Sequence, residues 1–306
     1  MTNNMTNKWK EYVKAGIVQF MACPEVMKGE GPIASTAASL LSDGFFEVIE
    51  TGPVNDVIER RKVREAVEAK GAELAFACQP MQFGQKLNLS SLDEPERAQA
   101  LYAIRKAIPQ ARALGAVGIA LLSGPDPGPT NRAKATSALL DSLVSICREA
   151  GDLPVHLETF DRDVDKKCLI GPTDEAVALA KRVRSQVRNF GLMIDLSHLP
   201  LLRETSRQCL TAAKEVLTHI HVGNTVIDPK HPQYGDLHPR FGLEGSENGV
   251  EELAEFLSVL FEIGYLGKGV RRIVTVEVKP VPNETTDSLI SATKEAWAEA
   301  WGKVRA

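Results

Sequence analysis

The 306-residue chain lacks several features that mark particular classes of protein. Its five cysteines are widely spaced and form no C-x-x-C pair, which argues against a disulfide framework and against a thiolate zinc site. No stretch approaches the ~20 apolar residues of a membrane-spanning helix, and the polar start, MTNNMTNKWKEY, contains no apolar segment typical of a signal peptide. These absences predict a protein of the reducing cytoplasm that is neither exported nor membrane-anchored.

Concentrated positive charge is also missing. The formal net charge is -4, whereas binding to nucleic acid requires a basic surface that neutralises phosphates. No G-x-G-x-x-G follows the first strand-like run, and there is no Walker-type glycine loop. The sequence therefore argues against nucleic acid as a partner and against a nucleotide-binding doubly wound sheet, which is the structural alternative to the fold predicted below.

What the sequence does contain is a regular alternation of two patterns. Amphipathic segments such as 56–71, 96–115 and 174–191 separate short runs rich in Val, Ile, Phe and Leu. We predict eight strands in these runs, at 16–20, 45–50, 73–79, 117–123, 154–160, 190–197, 217–223 and 272–278. Eight strand–helix repeats without a break in composition predict an α/β protein with a (β/α)8 TIM barrel as its single domain over 1–306, including a polar N-terminal extension at 1–14.

One connection is unusually long. Residues 223–248, NTVIDPKHPQYGDLHPRFGLEGSEN after Gly223, lie between the seventh strand and its helix and are rich in Pro, Gly and His. Long loops in compact domains are usually functional. We therefore expect this rim loop to contribute to the active-site end of the barrel.

Polar residues lie near the carboxyl ends of the last four predicted strands, where barrel active sites form. They are Glu158, Asp195, His221 and Glu277. Side chains alternate between the two faces of a strand, and the residue before each of these is apolar: Leu157, Ile194, Ile220 and Val276. The matching parity predicts that the four polar side chains converge inside one half of the barrel mouth.

Three carboxylates so close together would repel one another without a counter-charge. A divalent cation removes this conflict. The oxygen-rich ligand set favours Mn²⁺, Mg²⁺ or Co²⁺, with Zn²⁺ as a further candidate, and leaves coordination positions open for water or substrate.

The motifs HLETFD (Glu158), MIDLSH (Asp195 and His198), HIHVGN (His221) and VEVKP (Glu277) resemble those of the xylose-isomerase-like TIM barrels. Within that superfamily they are similar to the sugar phosphate isomerase/epimerase group, which includes the ketose 3-epimerases. The resemblance implies that the four strand-end residues bind one divalent metal ion, usually Mn²⁺, Co²⁺ or Mg²⁺. It also implies that Glu158 and Glu277 form the acid/base pair, acting on opposite faces of a carbon next to a carbonyl through an enediolate.

The resemblance extends to substrate contacts, with one departure. His198 matches the family histidine that contacts substrate oxygens, although bracing of a loop is an alternative role. Where ketose epimerases carry a short loop with an arginine, this chain has the long rim loop, from which His238 and Arg240 are our candidate substitutes. Lys279 has the same parity as Glu277 and is a candidate for a substrate oxyanion or, alternatively, for a salt bridge at the rim.

Other polar residues have weaker assignments. Gln19, Glu50, Gln79 and Ser123 close the first four strands and are candidates for hydrogen bonds to sugar hydroxyls. His156 and His219 lie one layer deeper, where partners of metal ligands are expected. After strand five, Arg162, Lys166 and Lys167 form either a phosphate site or a solvated loop.

These observations predict a metal-dependent isomerase or epimerase that acts on a small sugar or sugar phosphate. A dehydratase of the inosose type begins with the same proton abstraction and stays as the alternative, and a non-catalytic sugar-binding barrel is a further one. Phosphodiester hydrolysis like that of endonuclease IV is disfavoured, because Gln79 and Ser123 stand where that chemistry uses histidines. The resemblance also suggests a homodimer or homotetramer.

Overall fold

A computed structural model of the protein describes residues 8–305. Eight parallel strands follow one another around a closed barrel, and β8 pairs with β1 to complete it. The strands are β1 (Val13–Val18), β2 (Val48–Thr51), β3 (Glu73–Ala77), β4 (Ile119–Leu121), β5 (Val155–Glu158), β6 (Phe190–Asp195), β7 (Leu217–Gly223) and β8 (Arg272–Glu277). The predicted single-domain (β/α)8 barrel is confirmed, and each of the eight predicted strands is present.

Helices connect the strands on the outside of the barrel. They are α1 (Gln19–Ala22), α2 (Ile33–Leu40), α3 (Val57–Glu68), α4 (Gln79–Gly84), α5 (Glu94–Leu114), α6 (Arg132–Ala150), α7 (Thr173–Arg184), α8 (His198–Leu202), α9 (Ser206–Ala213), α10 (Val250–Glu262) and α11 (Thr286–Trp301), with short 3-10 helices at Lys8–Glu11 and Pro24–Val26. None of the helices in residues 8–305 combines the length and apolar character needed to cross a membrane.

Two boundaries differ from the sequence prediction. β1 begins at Val13 and the preceding 3-10 helix buries Trp9 against Phe45 and Trp297, so residues 8–14 belong to the folded barrel and not to an extension. Residues 1–7 of the predicted extension lie outside the described part. α7 ends at Arg184 instead of continuing to 191, because the Asn189 side chain donates to two backbone carbonyls of the neighbouring unit and starts the turn into β6.

The side-chain parity predicted for the last four strands holds in the structure. The apolar residues Leu157, Ile194, Ile220 and Val276 are fully buried between the strands and the outer helices. The alternate residues point into the barrel, where the filling is unusually polar and includes His156, His219 and Thr275. Gly118 makes room for one of them, because a Cβ at that position would lie 2.5 Å from Nε2 of His156.

The rim loop between β7 and α10 is held by its own hydrogen bonds. Asn224 donates to the Arg240 carbonyl over 2.8 Å, and Asn248 donates to the Gly223 carbonyl over 3.0 Å. Thr225 donates to the Gly235 carbonyl over 2.8 Å. These contacts fold the loop back over the carboxyl ends of β6, β7 and β8.

Candidate metal and active site

Glu158, Asp195, His221 and Glu277 converge as the parity argument predicted. Each offers a ligand atom, and these atoms all lie within 4.8 Å of one another, so the group could hold a metal ion. Three of the residues end their strands, whereas His221 lies two residues before the end of β7. The staggered register of the barrel compensates for this offset, because Asp195 is paired with His221 across β6 and β7.

The contacts within the group leave one oxygen free. Nδ1 of His221 lies 2.6 Å from Oε2 of Glu277, and Gln79 donates to Oε2 of Glu158 over 2.8 Å. Asp195 accepts from the Ser197 backbone N–H through Oδ1, but its buried Oδ2 has no hydrogen-bond partner in residues 8–305. An orphaned, buried carboxylate oxygen facing two more carboxylates and an imidazole is the arrangement that a cation completes.

The electrostatics of the group separate its two glutamates. Burial raises the pKa of Glu158 to about 8, and the like charges of Glu277 and Asp195 add to that effect against the opposing influence of His198 and His221. Burial also acts on Glu277, but His238 and His221 outweigh it and lower the pKa of that carboxyl. Two nearby carboxyl groups whose pKa values are pushed apart are typical of an acid and a base in one site.

Asp195 also belongs to a second group that could hold a metal ion, together with His198 and His238. Between the two histidines lies Asp236, whose Oδ1 is 3.2 Å from Nε2 of His198 and 2.9 Å from Nε2 of His238. Lys166 approaches the same carboxylate, with Nζ 3.4 Å from Oδ2. Burial opposes charge on His238, but Asp236 outweighs it and raises the histidine pKa to about 9.

A third such group lies deeper in the barrel and contains Glu50, His219 and His221. Oε2 of Glu50 is 3.0 Å from Nε2 of His219 and 2.9 Å from Nε2 of His221. Burial acts to raise the pKa of Glu50, but the two imidazoles outweigh it and lower that pKa well below its usual value, so the carboxylate is charged. Its position at the end of the second predicted strand made Glu50 a candidate for hydrogen bonds to a sugar. In the structure Glu50 is instead fully buried beneath the site and does not line the cavity.

A cavity of about 800 Å³ opens above the first group. One side is polar and contains five residues of the described groups: Glu158, His221, Asp236, His238 and Glu277. The opposite side is apolar and comes mainly from segments that follow β1, β2 and β3: Phe20, Met21, Met27, Pro53, Pro80, Met81 and Phe83. Three lysines also line the cavity: Lys28, Lys166 and Lys279.

The predicted substrate-binding residues divide into two sets. His238 and Lys279 line the cavity. His198 and Arg240 do not line it. His198 is buried, donates through Nδ1 to the Thr159 carbonyl over 2.6 Å and packs on Phe160. Nε of Arg240 lies 3.7 Å from Oε1 of Glu284. The substrate contacts assigned to these four residues stay predictions.

The basic cluster after β5 resolves into separate contacts. Arg162 forms a bidentate ion pair with Glu175, with both N–O distances at 2.7 Å, and Lys167 lies outside the cavity lining. Lys166 alone among the three lines the cavity, where it donates to Asp165 and to the Asp236 carbonyl.

Sequence reasoning missed Asp236 and misplaced Glu50. Asp236 lies in a loop, where no strand period marks which side chains point inward, although its position two residues before His238 in GDLHPRFG was an available signal. The contact between Glu50 and His221 joins residues 171 positions apart, and no local pattern reports such a contact.

The barrel and its strand-end cluster define a class: (β/α)8 proteins with a candidate metal centre at the carboxyl ends of the strands. A family model described as xylose isomerase-like TIM barrel matches residues 42–298. The chain therefore belongs to the xylose isomerase-like TIM barrel family, as its strand motifs predicted. Comparison with curated proteins gives no significant match.

Several solved structures share the fold at low sequence identity. D-psicose 3-epimerase from Clostridium cellulolyticum H10, solved with D-tagatose, is 17% identical with a TM-score of 0.68, and the match covers 96% of this chain and 100% of that one. A D-tagatose 3-epimerase-like protein is 18% identical with a TM-score of 0.70, covering 95% and 98%. An L-ribulose 3-epimerase is 16% identical with a TM-score of 0.65, covering 94% and 91%.

Proposed function

We propose that the protein is a divalent-metal-dependent isomerase or epimerase that moves a proton next to a carbonyl on a small sugar or sugar phosphate. The observation that carries the proposal is the juxtaposition of two cavity-lining glutamates, Glu158 and Glu277, with Asp195 and His221 around one point. The solved structures of the same fold include epimerases named for the ketoses D-psicose and L-ribulose, which supports the choice of a sugar.

Glu158, Asp195, His221 and Glu277 would hold one ion, with Mn²⁺, Co²⁺ or Mg²⁺ preferred by the oxygen-rich ligand set. The bound ion would supply Lewis-acid stabilisation of the negative charge that develops on the substrate oxygens. Self-association into dimers or tetramers is a further prediction from the family resemblance.

The protein groups supply the proton chemistry. Glu277, whose pKa is lowered, is ionised and can accept the proton from the carbon next to the carbonyl. Glu158 lines the same cavity and can return a proton to the carbon. Gln79 orients Glu158 by donating to its Oε2, and the apolar side of the cavity excludes water from the reacting carbon.

The test is proton exchange at carbon. The Mn²⁺-loaded protein is incubated in deuterated water with a panel of ketoses, their phosphates and keto-inositols, and the products are followed by NMR. The proposal expects deuterium next to the carbonyl with retained skeleton, and Glu158→Gln and Glu277→Gln should each lower turnover by about 10²-fold or more. Glu65→Gln, at an exposed position of α3 where Glu65 pairs only loosely with Arg61 at 3.6 Å, is the matched control and should retain full turnover.

Other outcomes would assign the site differently. Loss of water from a keto-inositol would identify a dehydratase of the inosose type. Sugar binding that survives both substitutions unchanged, without exchange in the unaltered protein, would identify a binding barrel and contradict the proposal.

A further inference from the structure

The carboxylate of Glu50 lies between two histidines of β7, one layer below the candidate metal ligands. Glu50 is on β2, across the barrel from the four ligand strands, and it is fully buried. Its Oε2 is 2.9 Å from Nε2 of His221 and 3.0 Å from Nε2 of His219. Its Oε1 has no hydrogen-bond partner in residues 8–305, so within that range the two imidazoles are its only anchors.

The hydrogen-bonding capacities of these groups fix the orientation of His221. A carboxylate only accepts hydrogen bonds, so Nε2 of each imidazole carries the hydrogen that points to Glu50. Nδ1 of His221 then faces the other candidate ligands, 2.6 Å from Oε2 of Glu277 and 4.0 Å from Oε1 of Glu158. In the metal-free protein Nδ1 also carries a hydrogen, which it donates to Glu277, and a cation held by these ligands would replace that hydrogen while Nε2 keeps the one that points to Glu50. The atom that His221 offers to a cation is therefore Nδ1, and the bond to Glu50 selects it.

His219 is itself held in place from below. The imidazole of His156 stacks on it with ring centroids 5.1 Å apart and planes inclined by 26°. Nδ1 of His156 lies 2.8 Å from Oγ1 of Thr218, and the absent side chain of Gly118 leaves the space that the His156 ring fills. His219 in turn meets His221 edge to face, with ring centroids 5.3 Å apart and planes inclined by 65°, so the three imidazoles pack against one another in series.

We propose that Glu50 is a positioning residue of the candidate metal site. It holds His221 in the tautomer and orientation that present Nδ1 to a cation, and His219 acts by holding Glu50. The inference rests on the proposed function for the existence of the metal, and it deepens that proposal by assigning two residues that do not touch the ion. Carboxylates that orient ligating histidines typically contribute about 10–100-fold to metal affinity.

The first measurement is the Mn²⁺ dissociation constant of purified Glu50→Gln protein, obtained by competition with a chelator, together with thermal unfolding of the metal-free form. Glutamine has the same size, and its one oxygen can still approach both imidazoles, but it is uncharged and therefore accepts more weakly from each of them than the carboxylate does. We expect affinity to fall by about 10–100-fold with the number of bound ions unchanged. The control is Glu47→Gln, because Glu47 lies directly before the same strand and pairs with Arg271 away from the candidate site; it makes the same charge change and should leave the affinity unchanged.

A double-mutant cycle separates positioning from general loss of packing. His219→Gln alone should weaken Mn²⁺ binding, because Glu50 loses one of its two anchors. If His219 acts through Glu50, adding His219→Gln to Glu50→Gln should change the affinity by no more than about twofold, since coupled residues are not additive.

Three results would overturn the inference. One is unchanged Mn²⁺ affinity in Glu50→Gln, whether or not the metal-free form is destabilised. Another is full additivity of the two substitutions. The third is a Mn²⁺-soaked crystal in which the ion is bound directly by Glu50, which would make it a ligand.

The result also separates this inference from the proposed function. If Mn²⁺ binds and depends on Glu50 as expected but no sugar undergoes exchange, the proposed reaction fails while the positioning role stands. If the unaltered protein binds no ion, or if Asp195→Asn leaves its binding intact, the ion is not at this site and both fail.

Discussion

At the scale of single residues, the most informative feature is the uneven protonation of a crowded, buried site. Burial raises the pKa of Glu158 to about 8, whereas Asp236 overrides burial and raises that of His238 to about 9. Both groups therefore keep protons in the metal-free protein at neutral pH. A cation bound by Glu158 must displace the proton of that carboxyl group, so its binding is linked to pH.

We predict that the stabilisation of the protein by Mn²⁺ increases between about pH 6 and about pH 9. The raised pKa of Glu158 means that the native state holds an extra proton above the usual carboxyl pKa of 4.5, so metal-free stability falls as pH rises toward about 8. The stability contributed by protonated His238 is likewise lost as pH rises through about 9. Mn²⁺ affinity rises over the same interval as ligand protons leave.

The measurement is the melting temperature with and without saturating Mn²⁺ across this pH range. Calorimetric titration in two buffers with different ionisation enthalpies should also detect proton release at neutral pH. A constant difference in melting temperature at every pH, with no proton release, would contradict the linkage.

At the scale of elements, the active-site end is built from loops that side chains fasten to one another. Asp161, three residues after the end of β5, is fully buried and accepts from the backbone N–H groups of Val164, Asp165 and Lys166 over 2.8 Å each. This turn places Lys166 where it reaches Asp236 in the rim loop. One aspartate thus fixes the position of a cavity lysine and couples two loops.

We predict that Asp161→Asn lowers the free energy of unfolding by about 2–3 kcal/mol, because an amide nitrogen replaces an oxygen that accepts charge-assisted hydrogen bonds. Urea denaturation of the metal-free protein measures the change. Asp163→Asn, two residues along in the same loop but exposed, is the control and should stay within about 0.5 kcal/mol of the unaltered protein. Equal effects for the two substitutions would contradict the assigned role of Asp161.

The eight strands were largely predictable from the sequence, and so were the candidate metal ligands that lie on the last four of them. Strand period places Glu158 and its three partners on inward positions, and that inference needs only local information. Contacts in loops and across the barrel do not follow a period, which is why Asp236 was missed and Glu50 was expected at the rim. The end of α7 was also missed, because the amphipathic pattern continues past Arg184 and a tertiary contact of Asn189 stops the helix.

At the scale of the whole molecule, the aromatic packing that stabilises the fold and the candidate metal site lie at opposite ends of the barrel axis. The amino-terminal end is closed by aromatic packing, with Trp9 centred 5.6 Å from Trp297 and 5.1 Å from Phe45. The candidate ligands lie at the opposite end of the strands. Damage to the closed end should therefore reach the site only through global unfolding.

We predict that Trp9→Ala lowers the free energy of unfolding by about 3–5 kcal/mol, as expected when a large buried side chain is removed. Mn²⁺ affinity of the molecules that remain folded should stay within about twofold of the unaltered protein. Denaturant titration measures the free energy of unfolding, and chelator competition on the same preparation measures the Mn²⁺ affinity. A large loss of affinity without loss of stability would show that the two ends are coupled.

The polar and apolar walls of the cavity come from different parts of the circumference of the barrel. The acidic and imidazole groups come from β5, β7, β8 and the rim loop, whereas the apolar wall of Phe20, Met27 and Phe83 is supplied by segments that follow β1 and β3. Substitutions in the apolar wall could therefore change which ligands fit the cavity without altering the acidic and imidazole groups on the other side. One such scaffold can change the shape of ligand that it accepts while its candidate metal centre stays the same.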